Sequence, residues 1–188
     1  MKIYLASRSP RRKLLLEQVG IPFSVIDVDI DENWDGKETA RNYVERLAKE
    51  KAVMGIGQIT ENENTVVLGA DTAVVLDGEV FGKAGACEDA AKMLSRLSGR
   101  QHYVYSAIAL AGEQMIRSVV VRTAVCFKVL TEREIADYSQ SDEPLGKAGG
   151  YAIQGMAAKF IESIHGSYTG VVGLPLYEAS KLLQPYQD

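Results

Sequence analysis

The chain opens on a short apolar run, Ile3, Tyr4, Leu5 and Ala6, that stops at Ser7 and reads as a buried strand. Ser9 and Pro10 then look like a capping residue followed by proline in the first helical position. Leu14, Leu15, Leu16 and Val19 give that helix an apolar side, and Gly20 stops it. Residues 23–28 read as a second strand running into an acidic segment at 27–35. A helix over 38–54 follows, with Tyr43, Val44, Leu47 and Ala48 on its inner side. Residues 65–76 are β-rich, and Asp77-Gly78 is a two-residue hairpin signal that returns the chain through Glu79, Val80 and Phe81 to Lys83. The pattern then predicts a helix over 88–97, strands over 102–111 and 116–130 around a turn at Gly112, and a helix opened by the capping box Thr131 to Glu134. A strand near 159–164 and a helix over 175–183 complete the chain.

Strands and helices are mixed without strict alternation. This predicts an α/β fold with long antiparallel pairs rather than a regular doubly wound sheet. At 188 residues the chain fits a single domain spanning 1–188 with a substantial core. The net charge of -4 argues against broad binding to nucleic acid or to anionic membrane, although a local basic pocket is compatible with it. No uncharged run is long enough to span a bilayer, and Arg8, Arg11, Arg12 and Lys13 interrupt any signal-peptide core. Cys87 and Cys126 lack metal-ligand spacing and read as reduced thiols. The expected compartment is the cytoplasm.

The candidate chemistry begins where the first strand ends. Arg11 and Arg12 sit in the first turn of a helix, where the macrodipole already creates positive potential. Either both point into water, or the turn with Ser7 is arranged to receive an anion, most obviously phosphate. Lys51 follows Leu47 by four residues and Val44 by seven, so it points toward the core side. It either snorkels to the rim or reaches into a cleft. Asp71 interrupts an apolar strand and must find a partner, a metal or water, and Gly69 and Ala70 leave room beside it. Glu32 lies in the acidic segment, where carboxylates gather divalent cations or are simply solvated. Lys83 returns near Asp71 as a second phosphate contact or a surface lysine. The segment Lys147-Ala-Gly-Gly-Tyr-Ala-Ile-Gln-Gly155 matches no Walker or dinucleotide motif, but Gln154 offers the donor and acceptor that suit a base edge. Neither histidine sits in a nucleophile or metal motif. Cations for phosphate and carboxylates for metal and water favour metal-assisted attack of water on a phosphate ester or anhydride.

Leu5-Ala-Ser-Arg-Ser-Pro-Arg-Arg12, Glu32, Arg46-Leu-Ala-Lys-Glu-Lys51, Gly69-Ala-Asp-Thr72, Leu97-Ser-Gly-Arg100, Gly166-Ser-Tyr and Val172-Gly-Leu-Pro175 follow one another in the order of the Maf family of nucleoside triphosphate pyrophosphatases, which the chain resembles over almost its whole length. The resemblance implies a mixed, elongated sheet with flanking helices and a cleft between two lobes, related to the inosine triphosphate pyrophosphatases, commonly in a homodimer. It implies hydrolysis of a nucleoside triphosphate to monophosphate and pyrophosphate, aided by a divalent cation, magnesium or manganese, at Glu32 and Asp71. By motif position Asp71 matches the proton acceptor, and Glu32 the second acid. Ser7, Arg12, Lys51 and Lys83 match phosphate-side positions. Arg11, Thr72 and Gln154 match positions tied to substrate choice. Ala70-Asp-Thr72 and Gly150-Tyr-Ala-Ile-Gln-Gly155 resemble the branch acting on dTTP and UTP rather than on 7-methyl-GTP. Three positions depart from the family pattern: Ala84 for proline, Ser106-Ala107 for Thr-Gly, and Gly146 for an acid. The competing readings are a pyrophosphatase for modified nucleotides and a nucleotide-binding regulator of cell division or septum formation. A nucleic-acid-binding module is disfavoured by the charge and the absence of a basic stripe.

Overall fold

All seven expected strands form, and they join in one sheet. The computed structural model describes residues 1–60 and 64–186. The strands are β1 (Lys2–Ala6), β2 (Ser24–Ile26), β3 (Thr65–Leu76), β4 (Glu79–Phe81), β5 (Gln101–Gly112), β6 (Met115–Phe127) and β7 (Ile161–His165). The helices are α1 (Pro10–Gln18), α2 (Ala40–Gly57), α3 (Cys87–Leu97), α4 (Glu132–Ser139), α5 (Tyr168–Val172) and α6 (Leu176–Leu183). The sheet order is β2-β1-β3-β5-β6-β7, with β4 added on β3. β1 pairs in parallel with β2 and β3, whereas β3, β5, β6 and β7 run antiparallel to one another, so the sheet is mixed.

Alternation along β3 and β5 divides the core. Val66, Leu68, Ala70, Val74, Val104, Ile108 and Leu110 belong to the larger cluster, with Leu15 and Leu16 of α1, Leu94 of α3, Tyr138 of α4 and Leu183 of α6. Ala73, Ala107, Ala109 and Ala111 face α2 alone, against its Val44, Ala48 and Ala52. Small side chains on that face let α2 lie close on the sheet. A Cβ built on Gly69 would stand 2.2 Å from the Ala48 carbonyl oxygen and 2.7 Å from the Ala52 nitrogen.

The differences from the sequence pattern have local causes. Leu14 and Val19 are 62% and 41% exposed, so the buried side of α1 is carried by Leu15 and Leu16 rather than by all four residues. Ser9 occupies the cap position but makes no side-chain cap bond; the Ser7 Oγ accepts the Ser9 N–H instead, at 3.2 Å. β2 is only Ser24–Ile26, because its register with β1 ends where β1 ends, at Ala6 opposite Ile26. β6 stops at Phe127, where the Lys128 N–H turns to the Phe160 carbonyl. The expected strand near 159–164 begins after a 3-10 turn, Met156–Phe160, whose first N–H groups are received by Glu143. The short helix α5 was not expected; Ser167 caps it by accepting the Gly170 N–H at 3.0 Å. Thr131 and Glu134 form the expected capping box. Cys87 and Cys126 are free.

His102 lies at the centre of the larger core, fully buried, edge-on to Phe127 and Tyr151 and 2.8 Å from the Tyr151 hydroxyl through Nε2. Desolvation pushes its pKa down to about 4. The folded state therefore keeps it neutral while the unfolded chain binds a proton below about 6.5. Its contribution to stability is intact above that value and falls away as pH drops toward 4, by about 3 kcal/mol in total. Denaturant unfolding across pH 4 to 7 is expected to show this slope, and His102→Gln to flatten it; an unchanged slope would remove His102 as its origin.

Candidate active site

Opposite its β5 edge, β3 is split. Residues 65–69 pair with β1, and Val74, Val75 and Leu76 pair with β4, so residues 70–73 have no strand on that side. β1 runs into the gap from one end and delivers Ser7. β4 runs out toward it from the other and delivers Lys83. Crevices of this kind, where neighbouring strands part, are where open α/β sheets take ligands. A cleft of about 740 Å³ opens there, lined by every candidate residue read from the sequence: Ser7, Arg11, Arg12, Glu32, Lys51, Asp71, Thr72, Lys83 and Gln154.

Because successive strand residues face opposite sides, Asp71 and Thr72 serve different walls. Asp71 points to the α2 face, where Lys51 comes up from α2 and donates to its Oδ1 at 2.7 Å. Lys51 is only 7% exposed, so the cleft reading of its helical position holds and the snorkelling one does not. Its Nζ also lies 2.6 Å from Glu32 Oε1, and the other Glu32 oxygen takes Lys83 at 2.6 Å. Desolvation works against the Glu32 charge, but hydrogen bonds from Lys51 and Lys83 outweigh it and hold the pKa at about 2. Two lysines and two carboxylates thus balance on this wall. The two acids converge on a single cationic centre, the Lys51 ammonium.

Thr72 points to the other face. Its Oγ1 lies 3.5 Å from Arg12 Nη2 and 3.3 Å from the Ser106 hydroxyl, which itself donates to the Gly170 carbonyl at 2.5 Å. Arg12 donates to the Gly173 carbonyl at 2.8 Å and to Ser7 Oγ at 3.1 Å. All its partners are neutral. Burial is the main pressure on its charge, with Asp71 the chief favourable field. Ser7 accepts from Ser9 and Arg12, which leaves its own hydroxyl proton to donate. Arg11 makes no hydrogen bond or ion pair among the described residues, and burial lowers its pKa. Gln154 is exposed on the cleft wall.

Several contributors were not singled out from the sequence. The Tyr43 hydroxyl donates to the Glu32 carbonyl at 2.7 Å, and Arg46 donates to Glu38 at 2.6 Å and to the Asn33 carbonyl at 3.3 Å. Together they pin the acidic segment to α2 and fix Glu32. Burial, followed by the fields of Asp71 and Glu32, pushes the Tyr43 pKa up to about 12, so it remains a donor. Its position on the inner face of a helix that also carries Lys51 was the available signal. The unusual Ala84 has a consequence: its N–H donates to the Lys147 carbonyl at 3.2 Å, a bond proline lacks. Gly146 sits at φ +69°, which glycine tolerates without strain.

Among the described residues no group of three or more His, Cys, Asp or Glu side chains could hold a metal ion. Glu32 and Asp71 nevertheless suit a hard divalent cation of the magnesium type, which takes one or two carboxylates and completes its shell with water and phosphate oxygens.

A family model described as Maf-like protein matches residues 2–186. The dTTP/UTP pyrophosphatase of Aliivibrio fischeri is 48% identical over 187 residues, covering 98% of each chain. That of Escherichia coli K12 is 50% identical over 184 residues, covering 98% of this chain and 92% of its own. Among solved structures, the nucleoside-triphosphatase, dITP/XTP pyrophosphatase, of Mycobacterium abscessus shares 19% identity with a TM-score of 0.44, over 98% of this chain and 95% of the other.

Proposed function

The chain belongs to the Maf family, and we propose that it hydrolyses dTTP and UTP to the nucleoside monophosphate and pyrophosphate. The reading is carried by the pairing of opposites in one cleft: a balanced acid–lysine wall at Asp71 and Glu32, and a second wall where Arg11 and Arg12 have no carboxylate partner among the described residues. Arg12 and the Ser7 hydroxyl bind the phosphate chain and orient it. Lys51 and Lys83 offset charge as it builds on the phosphoryl oxygens. Asp71 takes the proton of a water that attacks the α-phosphorus; a new P–O bond forms, the bond to the bridging oxygen breaks, and pyrophosphate leaves with that electron pair. A divalent cation, magnesium or manganese, would be held by Glu32 and Asp71 and would supply Lewis-acid neutralisation of the phosphoryl oxygens.

Gln154 reads the carbonyl and imide edge of a pyrimidine in this scheme, with Arg11 and Thr72 at the other positions of substrate choice. A panel of dTTP, UTP and 7-methyl-GTP with pyrophosphate detection tests it. The pyrimidine nucleotides are expected to exceed the methylated purine in kcat/KM by at least about tenfold, and Gln154→Ala to lower their kcat/KM by about the same factor. A preference for 7-methyl-GTP would sink the assignment. The family resemblance also carries a homodimer and a cytoplasmic location as parts of the proposal. Among the described residues no helix is long and apolar enough to cross a membrane.

A further inference from the structure

We infer that Lys147, together with Arg11, forms an oxyanion subsite on the cleft wall that binds a phosphate group of the substrate. The inference rests on the nucleoside triphosphate reading, but its test does not depend on turnover.

The backbone around Lys147 is held on several sides. Its carbonyl accepts the N–H groups of Ala84 and Gly150 at 3.2 and 3.0 Å, and its own N–H reaches the Pro144 carbonyl at 3.3 Å. Lys83 and Ala148 form a β-bridge, and the Gly149 N–H donates to Gly82 at 3.1 Å. The loop is thus stapled to the segment that carries Lys83 into the cleft. The Lys147 ammonium, by contrast, has only a 3.5 Å contact with the Leu145 carbonyl and no carboxylate within ion-pair distance among the described residues.

Glu143, a carboxylate of the same segment, is committed elsewhere. It receives the Tyr138 hydroxyl at 2.8 Å and the N–H groups of Met156 and Ala157 at 2.8 and 3.2 Å. Burial lowers the Lys147 pKa and repulsion from Arg11 lowers it further, against the weaker opposing field of Glu143. Arg11 has no hydrogen-bond or ion-pair partner among the described residues. Arg11 and Lys147 line the same cleft, and two like charges that share a partly desolvated wall disfavour each other until an anion sits between them. Every other lysine of the cleft already has a carboxylate. The neutral base of the substrate offers no such counter-charge, whereas its phosphates do.

The subsite is tested by binding to the full chain without added divalent cation, with inorganic pyrophosphate, dTMP and thymidine as probes, for the wild type, Lys147→Met and Lys147→Arg. Lys147→Met keeps the apolar stem and the backbone staples. It is expected to weaken pyrophosphate, dTMP or both by at least about tenfold, to leave thymidine unchanged, and to be largely restored in Lys147→Arg. Loss confined to pyrophosphate places the subsite on the leaving group, and loss of dTMP places it on the retained phosphate; both support it. Unchanged affinity for both phosphates overturns it, as does a loss that extends equally to thymidine. A wild-type protein that binds these anions but does not turn over dTTP would fail the proposed activity and not the subsite.

Discussion

Asp71→Asn is expected to lower pyrophosphate release from dTTP by at least about 10³-fold while the protein stays folded and still binds the nucleotide. Asparagine has nearly the same shape, so it fills the same space between α2 and β3, but it neither accepts a proton at working pH nor carries charge. Its amide oxygen can still accept from Lys51. The stability cost is limited by a second feature of the site: Lys51 keeps Glu32 at 2.6 Å and is not left as an unpaired buried ammonium. In the wild type the only hydrogen bond to the Asp71 side chain among the described residues is the one at Oδ1, so Oδ2 faces no competing donor. A 10³-fold loss corresponds to about 4 kcal/mol of transition-state stabilisation. Three measurements on one preparation are needed: initial rates of pyrophosphate release, dTTP affinity without added divalent cation, and thermal unfolding. Removing a negative charge next to the triphosphate should leave that affinity equal or tighter. Activity within about tenfold of the wild type would show that another group takes the proton. The same set of measurements separates the enzyme from a nucleotide-binding regulator, whose binding would require no rate at all.

Much of this arrangement was legible in the sequence because periodicity reports direction. The seven-residue spacing of Val44 and Lys51 on α2 predicted an inward lysine, and the structure places its Nζ against Asp71 and Glu32. The interruption of an apolar strand by Asp71 required a partner, a metal or water for its carboxylate, and the structure supplies Lys51. The Asp77-Gly78 hairpin predicted the return of Lys83 toward Asp71, and Lys83, still largely exposed, meets Glu32. What pattern could not supply was the split of β3 between β1 and β4, because strand pairing is a long-range choice that no local spacing records. That split allows Asp71 and Thr72, on opposite faces, to serve one cleft. The same limit explains why the sequence assigns no role to Tyr43 or to Arg46: their partners, the carbonyls of Glu32 and Asn33, are backbone atoms of an irregular segment. The helix α5 escaped because its five residues are too few to show a period.

Gly69→Ala is expected to destabilise the protein by about 3 kcal/mol, at the upper end of what overpacking ordinarily costs, and to lower kcat by about 10²-fold although Gly69 is not among the residues that line the cleft. The added methyl would stand 2.2 Å from the Ala48 carbonyl oxygen and 2.7 Å from the Ala52 nitrogen. Both are backbone atoms of α2, so no side-chain rotation relieves the clash; the helix itself must move away from the sheet. Lys51 lies between those two contact points in the same turn, and it is the group that joins Glu32 to Asp71. A shift of α2 large enough to accept the methyl therefore opens the acid–lysine pairing as it loosens the alanine face. For a chain of this size the stability loss should appear as a fall in melting temperature of roughly 10 °C. Gly57→Ala is the control. A Cβ there meets nothing within 4 Å, at the end of the same helix, and alanine's better helix propensity should leave stability equal or raised by about 0.5 to 1 kcal/mol. If Gly69→Ala melts with the wild type and retains its kcat, then α2 does not set the position of Lys51 through this contact. If it melts low but keeps its kcat, the packing of α2 and the geometry of the acid pair are separable, and Lys51 follows the carboxylates rather than the helix.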